Sequence, residues 1–157
     1  MRPVDLDIDN YHETIETFHN ESDRAAAVLA GSFIESYLAK FMKSAMVADV
    51  KDELFDNNGP FSTYSQRVQA SHAFGLIPTG AKRDLELIGK IRNRFAHHPM
   101  RSTFDTAPIA DWCRELSTAP HIPVPGTEQD LRSDNRNRFI TAIALLVANW
   151  HNAILKA

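Results

Sequence analysis

The clearest periodic pattern of apolar and polar residues in the chain lies in the segment DLELIGKIRNRFAHHP, residues 84–99. At about 100° per residue, its apolar residues share one face of a helix and form a core-facing stripe: Leu85, Ile88, Ile91 and Phe95. Arg92 lies roughly 40° from Ile88 on the same wheel, so this stripe carries a guanidinium. Because His98 precedes Pro99, a position that disfavours helical backbone, we expect the helix to end there.

Similar periodicity predicts helices along much of the remaining chain. Asn20, with Asp23 three residues later, is typical of a helix start, and Thr63 with Gln66 predicts a capping box. The predicted helices, besides the one described above, cover residues 9–19, 21–46, 50–55, 63–74, 106–116 and 133–155. Gly31 stands in the middle of the second helix, where its cost of about 1 kcal/mol relative to alanine indicates the close approach of another helix.

The pattern predicts an all-α fold, because β-type alternation does not persist beyond short runs anywhere in the chain. A length of 157 residues fits one domain. We therefore expect a single-domain helical bundle of about five to seven helices over residues 1–157, with its core in residues 20–155. Residues 119–133 are predicted to form a loop, since the stretch APHIPVPG at 119–126 contains three prolines.

Charge argues against a protein that reads DNA directly. The formal net charge is −3 and the pI is about 6.1, and no helix-turn-helix pattern is evident. Basic residues alternate with Asp84, Glu86, Asp130 and Asp134, which indicates a mixed, solvated surface rather than a basic face. These basic residues are Lys82, Arg83, Lys90, Arg101, Arg132, Arg136 and Arg138.

We expect no leader, membrane span, metal site or cofactor from this sequence. The N-terminus lacks the apolar core of a signal peptide, and the longest uncharged run, residues 139–155, is too short for a comfortable membrane span. We therefore expect a cytoplasmic protein without metal or cofactor. The seven histidines show no metal-ligand spacing, and the single cysteine, Cys113, is expected to be buried and inert.

The end of the helix at residues 84–98 concentrates candidate chemistry. Arg92, Asn93, His97 and His98 together resemble the groups needed for metal-independent RNA cleavage. Arginine supplies a permanent charge for phosphate, asparagine orients a hydroxyl, and histidine acts as general acid or base. RNA cleavage needs a base for the 2′-OH, an acid for the leaving 5′-oxygen and a cation for the developing charge, and a dimer with two such helices face to face would supply all three.

The alternative interpretation of these residues is structural. Glu35 is the only acid within the apolar stripe of the second helix, as Arg92 is the lone charge within its own stripe. An unpaired buried charge is strongly unfavourable, so we expect Glu35 and Arg92 to form a buried, hydrogen-bonded pair. Asn93 and His97 would then only hydrogen-bond the ends of neighbouring helices.

Several segments resemble the mannitol operon repressor family. They are RAAAVLAGSFIESYL, FDNNGPFSTYSQRVQASHAFGLI, DLELIGKIRNRFAHHP and FDTAPIADWC, and the resemblance covers residues 20–155. The RNRFAH segment is also similar to the Arg-x4–6-His signature of the HEPN superfamily of helical domains. Arg92, Asn93 and His97 or His98 match that signature, and Glu35 matches an acid on the earlier long helix.

The resemblance implies a non-enzymatic regulator of transcription that acts through protein partners, with a homodimer as the expected assembly. The HEPN similarity implies an alternative, a metal-independent endoribonuclease that acts on RNA and could belong to a toxin–antitoxin pair. The two expectations differ in what Arg92, Asn93 and His97 do.

Overall fold

The computed structural model describes residues 10–49, 51–118 and 134–157. Within these ranges the chain forms helices and turns and no strand, so the predicted all-α fold is confirmed. The helices there are α1 (Tyr11–Asn20), α2 (Asp23–Ser44), α3 (Tyr64–Ala73), α4 (Thr79–His97), α5 (Ile109–Glu115) and α6 (Asp134–Lys156). The predicted loop at 119–133 lies outside the described residues.

Helix α2 occupies the centre of the bundle, where it packs against α1, α3, α4 and α6. It has buried residues on several sides, whereas α4 buries the single face that its apolar stripe predicts. Both α2 and α6 are long and apolar enough to pass a length-and-composition test for a membrane span, as core helices of globular proteins also do. The two helices pack against each other here.

Aromatic rings fill the core between the helices. Phe104 lies between Phe95 of α4 and Phe139 of α6, with ring centroids 4.9 and 5.4 Å away. Farther along the bundle, Phe41 of α2 stacks on Trp150 of α6 at 5.7 Å. All these rings are buried or nearly so, and such pairs add to the stabilisation that burial alone provides.

Local signals fix the start and end of α3. The predicted capping box is confirmed: Gln66 N–H donates to Thr63 Oγ1 at 3.3 Å, and Thr63 N–H donates to Gln66 Oε1 at 3.1 Å. At the other end Gly75 adopts a φ of 75°. The N–H of Leu76 then reaches the carbonyl of Ser71 at 2.8 Å, as in a Schellman motif.

The ends of other elements differ from the prediction. Ser22, rather than Asn20, caps α2, because its side chain accepts from the N–H of Ala25. Residues 51–55 form turns instead of a short helix. Helix α5 begins at Ile109, later than predicted, with Pro108 at its N-cap. Helix α4 does end at His97, as the following His98-Pro99 sequence predicts.

Arg136 is buried, which corrects its assignment to a solvated surface. Its Nη1 donates to Asp23 Oδ1 at 2.7 Å, and its Nη2 donates to the carbonyls of Phe18 at 2.8 Å, His19 at 3.1 Å and Glu21. A cation at the C-terminus of a helix satisfies carbonyls that have no partner within the helix and complements its dipole. Arg136 of α6 therefore holds the junction between α1 and α2.

Asp84 is also buried, although the sequence suggests a surface acid. Its carboxylate accepts from the backbone N–H groups of Ser117 at 3.0 Å and Thr118 at 2.6 Å, and from both hydroxyl groups. The first turns of α4 thus anchor the chain where it leaves α5. Of the remaining basic residues, Arg138 donates to the carbonyl of Leu116 at 2.6 Å, and Arg132 lies outside the described residues.

We expect Asp84→Ala to lower the free energy of unfolding by about 2–3 kcal/mol, because backbone and hydroxyl donors lose their acceptor together. Glu86→Ala is the matched control, since Glu86 is exposed and, among the described residues, forms an ion pair only with Lys82 on the same helix. That control should change stability by less than about 0.5 kcal/mol. Urea denaturation measures both; equal effects would contradict the role assigned to Asp84.

Candidate functional site

The candidate site lies where α4 crosses α2 and α3. Arg92 of α4 extends along α2, and its Nη1 donates to Glu35 Oε2 at 2.7 Å. The two residues predicted to pair are therefore in contact. The pair is only partly buried, however, with 18% of the Arg92 and 29% of the Glu35 side chain exposed. The burial predicted for this pair is therefore partial.

A second arginine shares the same carboxylate. Nη1 of Arg67, on α3, lies 3.7 Å from Glu35 Oε1, and its Nε donates to the carbonyl of Phe61 at 2.8 Å. Arg67 is not among the residues predicted from the sequence, although its position three residues after Tyr64 and four before Ser71 places it at the edge of the inward face of α3. One carboxylate therefore neutralises part of the charge of two guanidinium groups.

Each guanidinium also lies over an aromatic ring. Arg92 Cζ is 4.9 Å from the centroid of Tyr64, and Arg67 Cζ is 5.4 Å from that of Phe55. The Tyr64 hydroxyl donates to the carbonyl of Leu85. Burial raises the pKa of Tyr64, and the charge of Arg92 offsets only part of this effect. Tyr64 thus remains a neutral phenol, and its ring forms a cation–π contact with the guanidinium of Arg92.

Gly31 explains how Arg92 reaches Glu35. A Cβ atom at position 31 would lie 2.5 Å from Cδ, 2.8 Å from Cγ and 3.1 Å from Cβ of Arg92. The aliphatic part of the arginine side chain therefore occupies the space that any larger residue would need. The close approach predicted from this mid-helix glycine is present, and the approaching group is a side chain of α4.

The remaining residues of the predicted cluster face outward. Asn93, His97 and His98 are all exposed. Their side chains make no hydrogen bond within the parts of the chain that the structure describes, so the expected bonds to helix ends are absent there. Arg92 thus points into the bundle while its three neighbours point to solvent. The cluster is divided between two faces of α4.

The described residues contain neither a cluster suited to a metal ion nor a reactive thiol. In the described ranges no three His, Cys, Asp or Glu side chains come close enough together to hold a metal ion. Cys113 is fully buried in α5. Burial raises the pKa of its thiol to about 12, so the nucleophilic thiolate is essentially absent at neutral pH.

We expect Glu35→Ala to lower the free energy of unfolding by roughly 2 kcal/mol. This is less than the value of about 3 kcal/mol expected for a fully buried pair, because water reaches both side chains. Arg92→Lys should also be destabilising, since lysine lacks the planar guanidinium that stacks on Tyr64. His97→Ala, on the exposed face, is the control and should change stability by less than about 0.5 kcal/mol. Thermal melts that show His97→Ala and Glu35→Ala to be equally destabilising would contradict the assignment.

The effect of Gly31→Ala should depend on Arg92. In the wild-type protein the new methyl group displaces the arginine, so we expect a net loss of stability of about 1 kcal/mol despite the higher helix propensity of alanine. With Arg92→Ala as the background, the same change should stabilise by up to about 1 kcal/mol. A double-mutant cycle measures this coupling; additive effects would show that the two residues do not compete for the same space.

Comparisons with known proteins identify a fold. No family model and no curated protein matches the chain. Among solved structures it is similar to a chain of the X-ray structure of the MtlR–HPr complex from Escherichia coli, with a TM-score of 0.56 and 18% sequence identity. The match covers 93% of this chain and 96% of that one. The likeness shows that the bundle has an MtlR-like fold.

Proposed function

We propose that this protein is a cytoplasmic regulator of the MtlR type, which acts on transcription through a protein partner. The observation that carries the proposal is the structural similarity over nearly the whole length of both chains. The similar structure is a complex with HPr, so HPr is the partner proposed here. Because one fold can serve several functions, the geometry of the site provides a second, independent support for the proposal.

The arrangement of the site favours a binding protein over an enzyme. Arg92 is held by Glu35 and Tyr64 inside a helix crossing, so its charge contributes to packing and is not directed at a substrate. Asn93, His97 and His98 are exposed without a supporting hydrogen bond from the described residues. A catalytic group needs such support to hold its reactive geometry.

Regulation without direct DNA reading agrees with the charge of the molecule. The net charge is −3, and Arg136 and Arg138 both donate to the backbone of their own chain. They are thus committed to internal contacts rather than to phosphate groups. We propose a homodimer as the regulatory unit, as the resemblance of the sequence implies.

Isothermal titration of the purified protein with HPr from the same organism tests the proposal. We expect saturable binding with a defined stoichiometry, and promoter DNA that shifts on a gel only when a partner is present. Tight, sequence-specific DNA binding by the protein alone at physiological salt would contradict partner-dependent action. Absence of HPr binding at micromolar concentrations would remove HPr as the partner.

The competing function is that of a metal-independent endoribonuclease. It is favoured by the exposure of His97 and His98, whose side chains are accessible to RNA. The purified protein, incubated with RNA in EDTA, decides between the two. We expect no cleavage above a buffer control. Cleavage that His97→Ala abolishes, in a variant that still folds, would establish the nuclease instead.

A further inference from the structure

The outer face of α4 carries a row of basic side chains along its C-terminal half. We use the name cationic strip for Lys90, Arg94, His97, His98 and Arg101. Arg94 is partly exposed and the others are exposed. Lys90 and Arg94 are four residues apart, which at 1.5 Å per residue is about 6 Å along the helix axis, and His97 and His98 follow about one turn later. Residues 87–104 contain no aspartate or glutamate.

The acidic residues that alternate with these cations in sequence do not neutralise them in the structure. Asp84 is buried and bound to Ser117 and Thr118, and Glu86 pairs with Lys82 one turn away on the same helix. Lys90, Arg94 and Arg101 make no ion pair with any described residue. The mixed surface expected from the sequence is therefore a local excess of positive charge on this protein of net charge −3.

The helix dipole accounts for only part of the cationic strip. Basic residues in the last turn of a helix are stabilised by the partial negative charge of its free carbonyls. This explains Arg94 and His97, which lie in the last turn of α4. Lys90 precedes that turn, with its Nζ 6.0 Å from the ring centroid of Trp112. Arg101 follows the end of the helix, so neither residue has this explanation.

An exposed apolar side chain lies next to the cationic strip. Met100 is 93% exposed, more than any other large apolar residue in the part of the chain that the structure describes. It directly precedes Arg101 in the turn after α4. Methionine and arginine are enriched in protein interfaces, and a flexible thioether adapts to irregular apolar surfaces. The combination fits a surface that another protein covers.

We propose that the cationic strip and Met100 form the docking surface for an acidic protein segment, which places carboxylates against the strip and an apolar side chain against Met100. The inference rests on the proposed function, because it supplies the face and the chemistry by which a protein partner is recognised. Electrostatic attraction speeds the encounter, and the apolar contact at Met100 slows dissociation.

A protein partner fits the cationic strip better than a nucleic acid does. Lys90, Arg94 and Arg101 are its permanent cations, and affinity for a nucleic-acid backbone comes from the number of phosphates that such cations neutralise. With so few contacts, affinity for single-stranded RNA falls off at physiological salt. Met100 adds nothing to such binding, because bases stack on aromatic rings or guanidinium groups.

Fluorescence anisotropy with the intact protein tests the proposal. The probes are a labelled peptide that repeats Glu-Glu-Leu-Glu and a labelled single-stranded RNA of equal net charge. We expect the peptide to bind at physiological salt and more tightly than the RNA. Lys90→Gln with Arg94→Gln should weaken peptide binding at least about tenfold at low salt, and Met100→Ser about threefold or more.

The matched control is Lys82→Gln with Arg83→Gln, which removes the same charge from the first half of α4, where both cations have acidic partners. It should leave peptide binding unchanged. Equal losses for both double variants, tighter binding of the RNA, or no peptide binding would overturn the proposal. Circular dichroism melts verify that each variant folds.

HPr titrations separate this proposal from the proposed function. If HPr binds the wild-type protein while the peptide does not bind, the docking surface is refuted and the proposed function stands. If the peptide binds through the cationic strip and HPr does not bind, the strip stands and HPr is the wrong partner.

Discussion

One carboxylate holds three helices together. Glu35 of α2 receives Arg92 from α4 and lies within ion-pair distance of Arg67 from α3, so each helix contributes a charge to a single point. The surrounding features accommodate this contact. Gly31 leaves room for the arginine side chain, and Tyr64 lies beneath its guanidinium. Because removal of one partner exposes the others to an unbalanced charge, the relative positions of α2, α3 and α4 depend on all of them.

The fold could be predicted from sequence because its signals are local. Periodicity located the helices, Thr63 and Gln66 marked the start of α3, and His98-Pro99 marked the end of α4. Glu35 and Arg92 could be paired because each interrupts an apolar stripe. Asp84 and Arg136 escaped prediction for the opposite reason. Most of their partners are backbone groups of distant segments. Every residue type except proline carries the same backbone N–H and carbonyl, so the sequence does not show which of these groups a side chain will bind.

The two faces of α4 explain how a signature of polar residues is compatible with a binding function. Residues on adjacent positions of a helix point about 100° apart, so a short run such as Arg92-Asn93 serves two environments at once. Arg92 belongs to the interior and Asn93 to the surface. Similarity to an Arg-x4–6-His signature therefore shows only that these residues are present in the sequence. They can act together in catalysis only where their side chains face the same space.

The hydrogen bonds between Arg136 and the α1–α2 junction can form only late in synthesis of the chain. This arginine reaches Asp23 across 113 residues of chain and Phe18 across 118. During synthesis from the N-terminus, α1 and α2 therefore leave the ribosome long before the residue that ties them together exists. Until α6 arrives, the terminal carbonyls of α1 depend on water, and the apolar surface of α2 that α6 covers lies open. This apolar surface accordingly stays exposed to chaperones and proteases until α6 has been synthesised and has packed against α2.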